Sequence, residues 1–227
     1  MSGLDWTEEL KKRTGIDFLT THPMEIEKKS FEIIKGELGE EFVSRYPADA
    51  LPVLCRVIHT TADFSYRDTL TITEGAIGLA KEAIHRGLPI ITDTTMAASG
   101  INKTAARKFG IDVHCFIGDE DVKEAAKASG MTRSAVSAEK AARLYPECIY
   151  AVGNAPTALM RLYELIEEKK IRPALIIGVP VGFVNVVEAK ELILRTDVPA
   201  IVARGRKGGS NIAAAICNAL LYEAGGR

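Results

Sequence analysis

The sequence predicts a doubly wound α/β fold: a mainly five-stranded parallel sheet with a helical N-terminal extension. Three observations lead there. From about residue 87 onward, short β-branched apolar runs alternate with longer stretches of helical composition, the pattern of βαβ units feeding a parallel sheet. Those runs are almost continuously apolar rather than alternating, as expected for strands covered by helices on both faces. The first 86 residues carry helix-like segments and no strand-like run of comparable strength.

In chain order, the extension reads as EIEKKSFEIIKGELG, then DALPVLCRVIHTTAD, then TITEGAIGLAKEAIHRG. Met24, Ile26, Phe31, Ile33, Ile34 and Leu38 give the first of these an imperfect apolar stripe at helical spacing. The strands are expected at residues 88–92 (LPIIT), 113–117 (VHCFI), 148–152 (CIYAV), 174–179 (ALIIGV) and 199–203 (PAIVA). Between them lie helical stretches such as PTALMRLYELIEEKK and VVEAKELILRT, and SNIAAAICNALLYEAG closes the fold. Gly110 stands where a helix should stop before the next strand. No repeat, low-complexity tract or Pro-rich linker interrupts the chain. It therefore reads as one domain over 1–227, Rossmann-like in its 87–227 core, with 1–86 as extension and no sharp boundary between them.

Composition narrows the function classes. With 47% hydrophobic and 26% charged residues, the 227-residue chain belongs with soluble globular proteins. Its 29 basic and 30 acidic residues give a net charge of -1, so no electrostatic footprint points to nucleic acid or an anionic membrane. The longest apolar run, ALIIGVPVGFV, is shorter than the roughly 18 residues a bilayer requires and contains Pro and Gly. MSGLDWTEELKKRTG has no apolar core and does not read as a secretion signal, so a cytoplasmic location is expected. Cys55, Cys115, Cys148 and Cys217 are widely spaced in apolar contexts, which suits buried packing rather than a metal site.

In an open parallel sheet, ligands bind beyond the carboxyl ends of the strands. The loops there are DTTMAASG (93–100), GDEDV (118–122), GNAPTAL (153–159), VPVGFVN (179–185) and RGRKGGSN (204–211). Gly208, Gly209 and Ser210 open the last helix, where backbone N–H groups suit a carboxylate; by itself this reads equally as a turn with Ser210 as N-cap. Neither a phosphate-loop pattern nor dinucleotide glycine spacing is present, which argues against nicotinamide and other nucleotide cofactors.

Of the four histidines, His22 reads as a surface turn, His85 as a helix-end charge partner and His114 as a core residue. His59, in RVIHTTAD, places an imidazole at a helix end beside Thr60, Thr61 and Asp63, which suits acid or base work and equally a capping histidine. Arg133, in GMTRSA, could grip a carboxylate bidentately or stand solvated. No Ser/His/Asp spacing or metal-ligand motif supports a hydrolase or a metalloenzyme.

Read together, KKSFEIIKGEL, RVIHTTAD, ITDTTMAASGI, GMTRSA, VGNAPTAL, IGVPVGFVNVVEAK and ARGRKGGSNIAAAICNAL resemble the precorrin-8X methylmutase family of cobalamin biosynthesis, over about residues 24–222. The resemblance implies a homodimer with its pocket near the interface, and an isomerase that moves a methyl group from C11 to C12 of a tetrapyrrole by a 1,5-sigmatropic shift. No cofactor is implied, and any cobalt would arrive in the substrate. It also implies that His59 is catalytic and that Ser30 and Arg133 bind substrate. Thr94, Met96, Ser134, Asn154, Phe183, Gly208, Gly209 and Ser210 are further candidate substrate contacts, with Val181 packing beside the ring. The segment HTTADF resembles the anaerobic branch, which favours cobalt-precorrin-8 over the metal-free substrate. A non-catalytic tetrapyrrole carrier is the alternative from another class.

Overall fold

A computed structural model describes residues 6–226, apart from the side chains of Pro23 and Met24, and divides the chain into two compact units, 1–46 and 47–227. The first unit holds α1 (Trp6–Thr14), α2 (Pro23–Leu38) and α3 (Glu40–Arg45). Pro23 begins α2, where a missing N–H costs nothing, and Gly39 ends it with φ 84°. The stripe expected along α2 is narrower than its sequence implies: Ile34 and Leu38 are buried, whereas Ile26 and Ile33 are exposed, and Met24 lies outside the described side chains.

The second unit runs α4 (Leu51–Thr61), α5 (Tyr66–Thr69), β1 (Leu70–Ile72), α6 (Ala76–His85), β2 (Ile90–Thr92), α7 (Thr95–Gly100), α8 (Lys103–Arg107) and β3 (Val113–His114). It continues with α9 (Glu120–Ser129), α10 (Arg133–Leu144), β4 (Ile149–Val152), α11 (Pro156–Glu167), β5 (Leu175–Gly178), α12 (Val186–Ile193), β6 (Ala200–Ala203) and α13 (Ser210–Ala224). The sheet order is β1-β6-β5-β4-β2-β3, and every pairing is parallel except β1 with β6. Helices α4, α6, α7 and α13 cover one face, and α9 to α12 pack over the other. The central strands are buried along their whole length, which accounts for their unbroken apolar sequences.

The five expected strands are all present, and two expectations need correction. A sixth strand, β1, lies within the extension, so the sheet is mixed: Leu70, Thr71 and Ile72 pair with Ala203, Val202 and Ile201. The strand expected over 113–117 is ordered as a strand only at Val113–His114. As an edge strand it pairs on one side alone, and beyond it the rings of His114, Phe116 and Tyr145 stack on one another.

The chain order within the parallel part positions everything that follows. After β2 the path goes outward to β3, then returns past β2 to β4, β5 and β6, so the winding reverses between β2 and β4. A crevice at such a reversal is the usual ligand site of open α/β sheets. The registers Thr92↔Ala151, Val152↔Gly178 and Gly178↔Val202 bring the carboxyl ends level, so the loops leaving these strands start from one edge.

Candidate active site

Here the crevice at the reversal is filled by the protein itself. Asp93, the first residue after β2, is buried, and its carboxylate accepts the amide N–H groups of Gly153, Asn154 and Ala155, each at 2.8 Å. Burial pushes this carboxyl above the usual carboxylate range against the pull of the three amides. Beside it the Thr94 and Ser210 hydroxyls lie 2.8 Å apart, joining the start of α7 to the start of α13. Gly153 packs so closely on this junction that a Cβ there would lie 2.6 Å from the Ser210 Cα. Ser210 is therefore the first residue of α13, bonded across to Thr94, rather than its N-cap; Gly209 holds that position.

The open cavity lies to one side, among α4, α7 and α13. It measures about 360 Å³ and is lined by Arg56, His59, Thr60, Met96, Gly100, Asn211, Ala214, Ala215, Asn218 and Tyr222. The local sequence explains the lining. On α4, Val53, Leu54, Cys55, Val57 and Ile58 are buried, which leaves Arg56, His59 and Thr60, at i, i+3 and i+4, on the remaining face. The helix stops directly after Thr61, where Ala62 turns to φ 52°. Helix α13 repeats small or amide residues at Asn211, Ala214, Ala215 and Asn218, so its cavity face is shallow and polar.

Several of these side chains are held in place. The Asn218 amide donates to Gly100 O at 2.9 Å and accepts the Asn102 N–H at 2.7 Å, while Asn102 donates to the Tyr222 hydroxyl at 3.0 Å. The Arg56 guanidinium lies 5.3 Å over the Tyr222 ring. An exposed imidazole thus faces a cavity whose far wall is fixed and whose near wall carries a cation, a combination suited to a large anionic ligand that needs a proton handled at one point.

The expected residues fall into three groups. His59 and Met96 line this cavity, and Thr94, Gly208, Gly209 and Ser210 lie at its α13 edge or in the turn before it. In the loops that follow β4 and β5, outside the lining of this cavity, Phe183 is 83% exposed with Arg206 over its ring at 5.6 Å, and Val181 and Asn154 are exposed too. Arg133 and Ser134 open α10, away from the lining of the His59 cavity. Thr132 meets Thr157 at 2.8 Å, which ties GMTRSA to GNAPTAL, and Ser134 borders a cavity of about 10 Å³, far too small for a ring. Ser30 lies in the first unit, where its hydroxyl donates to Ile26 O at 2.7 Å.

Arg56, Asn211, Asn218 and Tyr222 escaped the sequence reading. Their signal was present as three polar side chains on one face of an otherwise buried helix, and as asparagines seven residues apart in an Ala-rich one. Three cysteines are buried as expected. Cys115, just past the end of β3, is only half-buried.

The family model described as Precorrin-8X methylmutase matches residues 25–223, which include every motif around this cavity. The chain belongs to that family. It is thus an isomerase, a methylmutase. A cobalt-precorrin-8 methylmutase of Leptospira interrogans is 45% identical over 86% of this chain and 91% of its own. A protein of the same name from Salmonella typhimurium is 43% identical over 88% and 95%. A precorrin-8X methylmutase of Pseudomonas aeruginosa is 36% identical over 87% and 94%. The solved precorrin-8X methylmutase of Thermus thermophilus superposes with a TM-score of 0.81 at 38% identity, covering 88% of this methylmutase and 96% of that chain. No helix among the described residues is long and apolar enough to cross a membrane.

Proposed function

We propose that this methylmutase moves a methyl group from C11 to C12 of cobalt-precorrin-8, giving cobyrinic acid, with His59 donating or sharing a proton with the ring. The observation that carries the reading is the placement of His59 on the wall of a cavity with Arg56, Asn211, Asn218 and Tyr222. The reaction rearranges atoms within one molecule and transfers no electrons to or from another. It therefore needs no resident cofactor, and cobalt comes and goes with the substrate.

A proton shared with the macrocycle redistributes its π-electrons and lowers the barrier to migration, a contribution of about 10²–10⁴-fold for a positioned acid. Holding the ring in its reactive shape supplies further rate. The acetate and propionate arms are taken by Arg56, by Arg133 and by the amides of Gly208 and Ser210, since the Gly209 N–H is already spent on Val179 O. Thr94, Ser134 and Asn154 supply further polar contacts, while Met96, Val181 and Phe183 pack on the ring.

A corrin precursor with all its arms lies at or beyond the upper end of the roughly 300–1,000 Å³ typical of ligand pockets, well above 360 Å³. Met96 at 70%, Phe183 at 83% and Val184 at 77% exposed are large apolar side chains in segments that follow the carboxyl ends of β2 and β5. Both facts favour a homodimer whose second subunit completes the pocket. The cobalt branch is supported by HTTADF, and by relatives at 45% and 43% identity whose names specify the cobalt substrate.

The test is His59→Ala with cobalt-containing and metal-free ring precursors, following the visible spectrum as conjugation changes. Wild type turns over the cobalt form faster, and the variant binds ring product normally while turnover falls by about 10²–10⁴-fold. Unchanged turnover removes His59 from the reaction, and faster turnover of the metal-free ring reverses the choice of branch.

A further inference from the structure

One fully buried charge is not used by the reaction as described. Lys190, on α12, has no exposed surface, and its Nζ donates to Gly205 O and to Lys207 O, each at 2.8 Å. The carbonyl between those two, Arg206 O, accepts the Gly182 N–H at 3.2 Å. Three consecutive carbonyls of the 205–207 segment are thus drawn onto the protein. Among the described residues, the N–H groups of Arg206, Lys207 and Gly208 have no acceptor in the chain. Just beyond, the Gly209 N–H donates to Val179 O at 2.8 Å, and Gly208 sits against that loop so tightly that a Cβ would lie 2.2 Å from Val179 O.

A run of backbone N–H groups without internal partners, ahead of a helix N-terminus, is an anion-binding concavity. What holds it open is the engagement of its carbonyls on the other side. A lysine is suited to this, because an ammonium carries several donors and needs no particular plane. The two outward cations of the segment are fixed by other means. Lys207 Nζ bonds Asp63 Oδ2 at 2.6 Å and Ser65 Oγ at 2.9 Å, and Arg206 lies over Phe183.

We infer that Lys190 is the positioning residue of the methylmutase's carboxylate site: by binding the carbonyls of residues 205 and 207 from inside, it presents the amides of 206 and 208, beside that of 207 set by Gly182, to one carboxylate arm of the substrate. It touches neither the ring nor the migrating methyl. Its role is in affinity, and this rests on the tetrapyrrole reading given above.

The test compares wild type, Lys190→Met, which keeps the length and removes the donors, and Lys190→Gln, which restores an uncharged donor. Hydrogen exchange on the unliganded protein is expected to quicken in the 204–210 peptide of Lys190→Met and to stay as in wild type elsewhere. With corrin substrate and product, KM and the product Kd rise roughly tenfold in Lys190→Met, kcat stays within about twofold, and Lys190→Gln recovers part of the loss. Unchanged exchange at 204–210 overturns the inference, as do unchanged affinities or equal falls in kcat and kcat/KM without recovery by Gln. If wild type binds no corrin at all, the tetrapyrrole reading fails instead, and the exchange experiment still decides whether Lys190 holds the turn.

Discussion

Two buried charges of opposite sign stand behind the loops of the site, and both bond to backbone alone. Asp93 gathers three amide N–H groups of the 153–155 loop; Lys190 gathers two carbonyls of the 205–207 turn. The groups they hold differ in what else is open to them. Gly153 and Ala155 are buried, whereas Gly205 is half-buried and Lys207 exposed. An amide left inside without an acceptor bears its full desolvation cost, while a carbonyl at the surface turns to water. The carboxylate is therefore chiefly a device of stability, and the ammonium chiefly one of shape.

The strongest way to break that contrast is Asp93→Ala beside Lys190→Met in urea unfolding. The first is expected to lose about 3–5 kcal/mol, since buried amides are stranded at the core of the sheet's reversal. The second should stay within about 1 kcal/mol of wild type, because it also removes a buried charge with no carboxylate partner. The reverse order would refute the distinction. The pH dependence carries the same sign logic. Burial holds the Lys190 ammonium down to about 8 from its ordinary 10.5. Across that window the unfolded chain binds a proton the folded one has released, so wild-type stability relative to Lys190→Met rises with pH. Asp93, pushed upward by burial, acts oppositely: as pH rises through the carboxylate range, its ionisation costs more in the folded state than in the unfolded one.

A smaller effect is expected where the two loops meet. Gly153→Ala places a Cβ 2.6 Å from the Ser210 Cα and 2.9 Å from Gly209 O and Ser210 N, all backbone atoms that cannot swing aside. The start of α13 must shift, at a cost of about 1–3 kcal/mol in thermal or urea unfolding, with weaker product binding because the 208–210 turn moves too. Unchanged stability and binding would mean the junction is looser than its geometry implies.

What was legible in the sequence follows the same division. The strands β4, β5 and β6 were readable because burial on both faces demands unbroken apolar runs, and the loops were readable because Gly, Pro and small polar residues gather there. Strand β1 was not, since three residues with a half-buried Thr71 and Ile72 carry no period, and the pairing with Val202 and Ile201 is more than a hundred residues distant. The site divided likewise: His59 emerged from its motif, but Arg56 and Tyr222 look like ordinary polar residues on amphipathic helices. Lys190 was the least visible. In VVEAKELI a lysine reads as the solvated face, and only the carbonyls arriving 15 and 17 residues later make it an interior group.

The mildest perturbation concerns the outer anchor of the turn. Asp63 and Lys207 meet at the surface, where solvent screens the pair, and Lys207 together with Ser65 holds the Asp63 carboxyl at about 2. A carboxyl lowered in the folded state adds stability that is complete above its unfolded value of 3.8 and is lost as pH falls from there through about 2. For an exposed pair this amounts to less than about 1 kcal/mol. Asp63→Asn should therefore lower stability by a few tenths of a kcal/mol at neutral pH, flatten the decline between about pH 4 and pH 2, and leave hydrogen exchange of the bonded Arg204 and Gly209 amides close to wild type. A large increase in exchange there would move the anchoring of the turn from Lys190 to the surface pair, since the inner lysine would then be insufficient to hold it.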